Sequence, residues 1–289
     1  MKVVYVTGLG RSGTTLLDVL LNAHSEMAGV GEVHKLRKFA RLQRQKNPRS
    51  TDRIGNSCAC GAEDIWKCPF WTRVNAELEA RMGRRLDDLD LEARDPAAFR
   101  KDNRELFQAV AAAAGVDHVV DSSKRVSRLR RLLRDPEIEV LPVHVMRNPK
   151  GRANSVRRRK GQVFRPTVQY SYRSLRLFGL LFNRPHVVVR YEDLATDPEG
   201  EMRRIMNRIG LPFEPAQVED WASQDNHNLA GNGVRTARSS EIALRDTWRE
   251  DLGPGKRLGI NLLAAPGRAV NWLKERRWRR ARGGAGPLL

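Results

Sequence analysis

The sequence predicts an α/β fold: a P-loop-like core with a mostly parallel sheet flanked by helices, plus a helical, cysteine-containing insertion. Three observations carry that expectation. The chain opens with a β-branched run, a glycine-rich segment and an apolar helical run, in that order. Short valine-rich runs then alternate with helical patterns, the rhythm of parallel strands joined by right-handed crossovers. Finally, 289 residues with 40% hydrophobic and 30% charged side chains suit a large folded domain better than a disordered chain.

In order, Met1–Thr7 (MKVVYVT) reads as a buried strand and Thr14–Leu21 as the helix after the glycine segment. Strand-like runs follow at His118–Asp121, Glu139–Met146 and His186–Arg190. Helical patterns separate them at Val126–Arg134, Gly151–Arg159 and Glu199–Ile209. Lys35–Phe107 breaks the rhythm with polar residues and a cysteine cluster, and is expected to be an insertion or lid over 35–107. One domain is expected over 1–265 and a basic tail over 266–289, frayed at Gly283–Pro287.

No apolar run reaches the roughly 18 residues of a membrane-spanning helix, and the opening is too short and too soon polar for a secretory signal. The expected location is therefore cytoplasmic. Three cysteines do not make a disulfide scaffold. The formal net charge of +19 points to a polyanionic partner: a phosphorylated nucleotide, nucleic acid, an acidic substrate or an anionic membrane. A basic surface serving only solubility is the alternative.

Gly8-Leu9-Gly10-Arg11-Ser12-Gly13-Thr14-Thr15 stands where the first strand hands over to the first helix. Glycines let successive N–H groups turn toward an anion, and the helix N-terminus adds free donors and partial positive charge. Ser12, Thr14 and Thr15 add hydroxyls, and Arg11 adds a bidentate fork. Gly8 and Gly13 have the spacing of the nucleoside-triphosphate loop, but Thr14 stands where that loop has lysine. A γ-phosphoryl transferase needs that lysine and a magnesium site. A sulfuryl group, with less charge, needs a metal less.

A second anion motif follows the strand Glu139–Met146: Arg147-Asn148-Pro149, with Ser155 about two turns into the next helix. An arginine fork and a returning hydroxyl suit a terminal phosphate.

The first motif resembles the 5′-phosphosulfate loop of sulfotransferases that use 3′-phosphoadenosine-5′-phosphosulfate (PAPS), in a bacterial branch. The resemblance implies that Arg11, Ser12, Gly13, Thr14 and Thr15 hold the 5′-phosphate and sulfonate. The second is similar to the family's 3′-phosphate motif, which implies that role for Arg147 and Ser155; many members have an acid where Gly151 stands. Arg190-Tyr191-Glu192-Asp193-Leu194 resembles a family block read here as mainly structural. The stretch 227–235, followed by Asp246 and Trp248, is similar to a late G-N-x-x-R loop, from which Arg235, and less so Arg238, is expected to reach a phosphate.

Gly31-Glu32 resembles the segment in tyrosylprotein sulfotransferases whose glutamate is the base, so Glu32 takes that role, with His34 the alternative. Lys124, in Asp121-Ser122-Ser123-Lys124, is expected to neutralise the leaving oxygen alongside Arg11. Ser123 is expected to cap the following helix and Asp121 to orient Lys124.

Cys58-Ala59-Cys60 with Cys68 admits zinc given an outside ligand, a reversible disulfide, or packing. No fourth ligand stands nearby in sequence, so no metal is expected in the site or required by the reaction. Trp272, Leu273 and Trp278 among Lys and Arg suggest peripheral contact with anionic lipid; a docked terminal helix is the other reading. The acceptor is a carbohydrate, a lipid-linked sugar, a tyrosine or a small metabolite. The competing functions are a P-loop nucleotide kinase and a basic nucleic-acid-binding protein, the latter without any recognisable nucleic-acid motif.

Overall fold

In a computed structural model of the chain, residues 1–44 and 58–280 are described, excepting the side chains of 41–44 and 277–280. The first half holds β1 (Lys2–Gly8), α1 (Thr14–Asn22), β2 (Met27–Gly31), α2 (Leu36–Arg44), α3 (Pro69–Met82), α4 (Pro96–Ala114) and β3 (His118–Asp121). Next come α5 (Val126–Leu132), β4 (Glu139–Met146), α6 (Pro149–Lys160), α7 (Phe164–Leu181) and β5 (Val187–Arg190). The last part is helical: α8 (Tyr191–Thr196), α9 (Pro198–Ile209), α10 (Ala216–Glu219), α11 (Trp248–Asp251) and α12 (Pro254–Arg280).

The strands form one parallel sheet in the order β2-β3-β1-β4-β5. Strand periodicity sends Val3 and Tyr5 to one core and Val4 and Val6 to the other, so both faces of β1 are dry. The sheet buries Val4, Val6, Leu141, Val143 and Val145 with Leu17 and Leu20 of α1 and Met202, Ile205 and Ile209 of α9.

The opposite face is covered by the stretch expected as an insertion or lid. Trp71, Leu78, Phe99, Leu106 and Phe107 share a core with Val3, Tyr5 and Val119, so its described part is a layer of the domain. Buried Arg128 of α5 fastens that layer. Its guanidinium donates to Asp121 Oδ2 (2.9 Å), to the Leu91 carbonyl (2.8 Å) and to Asn103 Oδ1 (2.6 Å). A buried charge is tolerable only when paired and hydrogen-bonded in this way.

β2 lies outside the strand runs read from sequence, as does α7 among the helices. The boundary expected at 265 falls inside α12, which runs unbroken through Pro266. Pro266 lacks an N–H, and Ser171 of α7 donates its hydroxyl to the Leu263 carbonyl (2.7 Å). Asn271 donates to Tyr170 and Ser174, and Lys274 is buried. The helix is thus docked on α7 at least as far as Lys274. The frayed end over 283–287 and the side chain of Trp278 lie outside the described residues.

The chain moves from β1 outward to β2 and back through β3, then crosses to β4 and β5 on the other side. The reversal lies between β1 and β4, where an open parallel sheet leaves a crevice at its carboxyl edge. Gly8 ends β1 beside Val145 of β4, so close that a Cβ on Gly8 would meet the Val145 carbonyl oxygen at 2.5 Å.

Candidate active site

The glycine loop and the Arg147 motif meet at that reversal. Arg11 adopts a left-handed backbone (φ 71°), an uncommon conformation for a side chain other than glycine. Its Nε donates to Ser155 Oγ at 3.0 Å. Arg147 donates to the Arg11 carbonyl (3.1 Å) and to the Arg245 carbonyl (2.8 Å), and Arg152 Nε donates to the Gly10 carbonyl (3.1 Å). Two arginines of the second motif segment thus clamp the loop of the first. Ser155 turns back as expected, but its partner is Arg11.

Positive charge accumulates here. Burial, then repulsion from Arg159, Arg147 and Arg245, lowers the pKa of Arg11. Cations crowded against one another at a strand end, beside the start of α1, make a place for an anion to relieve the repulsion.

Gly151 has little room for a side chain. A Cβ there would meet Arg147 Nε at 3.2 Å and Trp248 Cδ1 at 3.4 Å; the indole and the guanidinium fill that space. Tyr191, in the block read as mainly structural, packs against both anion motifs. Its ring lies under the Arg147 guanidinium, 4.1 Å from centroid to Cζ. It also abuts Gly13 so closely that a Cβ there would fall 2.5 Å from Tyr191 Cδ2. Gly13, at φ 91°, serves both the turn and this contact.

The other wall is built from the end of β2 and the segment after β3. Lys124, also left-handed (φ 63°), donates Nζ to Glu32 Oε1 at 2.8 Å, and Lys35 pairs with Glu32 Oε2. Burial alone would raise the pKa of Glu32, but Lys124 and Lys35 outweigh it and hold the carboxyl at about 2. His34 is pushed down to about 4, chiefly by burial, so its imidazole is neutral at neutral pH.

Two expectations for this segment fail. Asp121 does not orient Lys124: it accepts from Arg128 Nε and from the Ser123 N–H (2.8 Å). Ser123 does not cap α5, whose N-cap is Arg125; its hydroxyl accepts from the His34 N–H (3.3 Å).

Asp18 of α1 lies beneath this wall and was not singled out from sequence, where it is one polar residue in an apolar helix. Burial pushes its carboxyl up to about 7 against the opposing Ser122 hydrogen bond (2.7 Å) and Lys124.

The late loop crosses over β2. The Leu229 carbonyl accepts from the Glu32 N–H at 2.7 Å, and a Cβ on Gly31 would strike the Leu229 carbonyl oxygen at 2.5 Å. Arg235 is buried beneath this loop: Nη1 donates to the Asn228 carbonyl (3.1 Å), and Glu32, Cys58 and Cys60 lie nearby. A Cβ on Gly231 would meet Arg235 Cδ and Thr15 Oγ1, each at 3.5 Å, so Arg235 lies beside Thr15 of the glycine loop as well as near Glu32.

Solved structures share this fold. The structure is similar to the sulfotransferase domain of the Synechococcus PCC 7002 olefin synthase (TM-score 0.58, 16% identity, covering 92% of this chain and 94% of that one). It is also similar to the sulfotransferase domain from the curacin biosynthetic pathway (TM-score 0.59, 18% identity, covering 91% and 96%). At such identity these matches establish the fold alone. In sequence, 110 residues are 30% identical to human carbohydrate sulfotransferase 3, a match that takes in 32% of this chain and only 22% of that protein's length. The sulfotransferase family profile matches residues 4–215, from β1 through the Arg147 and Tyr191 segments, and on that match the chain belongs to the sulfotransferase family.

Proposed function

We propose that the chain transfers a sulfuryl group from PAPS to an acceptor hydroxyl. The observation that carries this reading is the crowd of arginines around the β1–α1 loop, with Arg11 joined to Ser155 and Arg147 joined to Arg11. On this reading the backbone N–H groups and hydroxyls from Ser12 to Thr15 bind the 5′-phosphosulfate, and Arg147 with Ser155 binds the 3′-phosphate. Thr14, in the lysine position of nucleoside-triphosphate loops, favours a sulfuryl over a phosphoryl donor.

The acceptor oxygen attacks sulfur in line, forming a new S–O bond as the bond from sulfur to the bridging oxygen breaks. The acceptor proton passes to a Glu32 carboxylate oxygen. The leaving 3′,5′-bisphosphate takes the electron pair, and Lys124 and Arg11 stabilise its charge. Lys124 is held by Glu32, and a carboxyl with a pKa near 2 is a poor base. Donor binding supplies a second anion for Lys124, so the pair loosens and the carboxylate gains basicity as the leaving oxygen gains its counter-charge. No metal takes part in the transfer.

The acceptor hydroxyl to test first is a carbohydrate's, because human carbohydrate sulfotransferase 3 is among the relatives. The reading extends to an acceptor met at an anionic lipid surface, supported by exposed Leu262 (67%) and Trp272 (52%) on basic α12. The test is incubation with 35S-labelled PAPS and a panel of carbohydrate, lipid-linked and phenolic acceptors. Label transfer that Glu32→Gln abolishes supports the reading. Labelled donor left intact with every acceptor, while γ-labelled ATP is consumed, supports a kinase.

A further inference from the structure

Cys58, Cys60 and Cys68 have a fourth companion that lies far away in sequence. His227, from the late loop, brings Nδ1 to 3.2 Å from Cys68 Sγ and 3.7 Å from Cys58 Sγ. Cys68 Sγ lies 3.5 Å from Cys58 Sγ and 3.7 Å from Cys60 Sγ. All four donor atoms fall within 4.8 Å of one another.

We propose that Cys58, Cys60, Cys68 and His227 bind one structural zinc ion that clasps the cysteine-bearing layer to the late loop beside Glu32. Zinc at about 2.3 Å from sulfur and about 2.0 Å from nitrogen, in a tetrahedron, sets its ligands about 3.5–3.8 Å apart. The four separations above, 3.2 to 3.7 Å, are already close to that figure. A disulfide fits them poorly, since bonded sulfurs stand about 2.05 Å apart and a pair would strand the third thiol and the histidine. Three thiolates and an imidazole are a soft donor set that favours zinc over magnesium or calcium. Four protein ligands leave no open coordination position, the mark of a structural site.

The surroundings hold the ligands in place. Gly61 turns at φ 85° immediately after Cys60, and its N–H closes the turn on the Cys58 carbonyl (3.2 Å). Cys68 is the N-cap of α3. Phe70 stacks on the His227 ring, 5.0 Å between centroids and 11° from parallel, and Trp71 Nε1 donates to the His227 carbonyl (3.0 Å). These contacts orient the imidazole as outer-shell partners do in metal sites. Binding would release the thiol protons to solvent and leave a complex of net charge −1, beside which Arg235 supplies a buried positive charge.

The site also reaches the chemistry. Leu229 bridges Cys58 on one side and Gly31 on the other, and its carbonyl accepts from the Glu32 N–H. Zinc would thus fix the loop on which the backbone of Glu32 rests. The expectation of no metal came from the missing local ligand, which His227 supplies.

The experiment is metal analysis of the full chain, purified under reducing conditions, by inductively coupled plasma mass spectrometry, followed by exchange with cobalt. One equivalent of zinc, and cobalt bands of thiolate charge transfer with tetrahedral d–d transitions, are expected. His227→Cys, which keeps a soft ligand, should retain the metal and shift the cobalt bands toward an all-thiolate site. His227→Ala should weaken zinc binding at least tenfold against a competing chromophoric chelator. Reduced protein that takes up no zinc from added salt would overturn the proposal, as would cobalt bound without charge-transfer bands or a native disulfide among these cysteines. None of these readouts depends on sulfuryl transfer.

Discussion

At the scale of single residues, Arg147 and Glu32 carry the proposed binding and chemistry. Arg147 is fixed by two carbonyls and the Tyr191 ring. Removing a charge-assisted contact to a phosphate costs about 1.5–3 kcal/mol, so Arg147→Ala should weaken binding of adenosine 3′,5′-bisphosphate by about 10²-fold in calorimetry. Tyr191→Leu should raise the donor KM by about three- to thirtyfold through the lost cation–π contact, while Tyr191→Phe should leave it near wild type. Equal KM values for the two would show that the ring does not position Arg147. Glu32→Gln should lower kcat by about 10²–10⁴-fold with bisphosphate affinity nearly unchanged; a variant that keeps full turnover would remove Glu32 as the base and move the role to His34.

Asp18 makes a prediction of opposite sign to the usual carboxylate. Its folded pKa, about 7, lies above the ordinary 3.8. Between about pH 4 and pH 7 the folded state therefore holds a proton that the unfolded chain has lost, and its contribution to stability falls as pH rises. Asp18→Asn, which can still accept from Ser122, should match the wild type in Tm near pH 4 and exceed it by several degrees at pH 8. A Tm difference that does not change with pH would contradict this.

At the scale of elements, β1, β3, β4 and the helix after the glycine loop were legible because their patterns are strong: valine-rich runs for strands, and leucines after a turn for the helix. β2 was not, because Met27-Ala28-Gly29-Val30-Gly31 has two glycines and one β-branched residue. Those glycines answer to packing. Gly29 faces Asn22 and Asn228, and Gly31 faces the Leu229 backbone. Gly31→Ala would force a Cβ against that backbone at φ 67° and should cost about 1–3 kcal/mol, read as a lowered Tm. The two anion motifs were readable because each is contiguous. The His227 contact was not: 159 residues separate it from Cys68, and no local pattern marks a histidine as a partner for distant thiols. The role of Tyr191 was hidden for the same reason, since it depends on which strand ends the topology makes neighbours.

At the scale of the whole molecule, two concentrations of the +19 charge bear on the proposed function. One is the arginine crowd at the β1–β4 reversal. The other is the surface of α12, where no helix among the described residues is long and apolar enough to cross a membrane, yet large apolar side chains lie exposed among basic ones. Vesicles rich in phosphatidylserine should retain the chain in flotation assays and release it as salt is raised, and neutral vesicles should not retain it. Equal retention by both, or by neither, would contradict the lipid contact.

Thermal stability with adenosine 3′,5′-bisphosphate and no added magnesium, compared with ATP and magnesium, separates a sulfuryl donor site from a nucleoside-triphosphate site. At about a hundred times its dissociation constant, a ligand specific to the folded state adds about 2.7 kcal/mol. A rise of a few degrees with the bisphosphate alone, abolished by Arg147→Ala, is the expected result. A rise only with magnesium and ATP would contradict the PAPS reading and leave the arginines to another nucleotide.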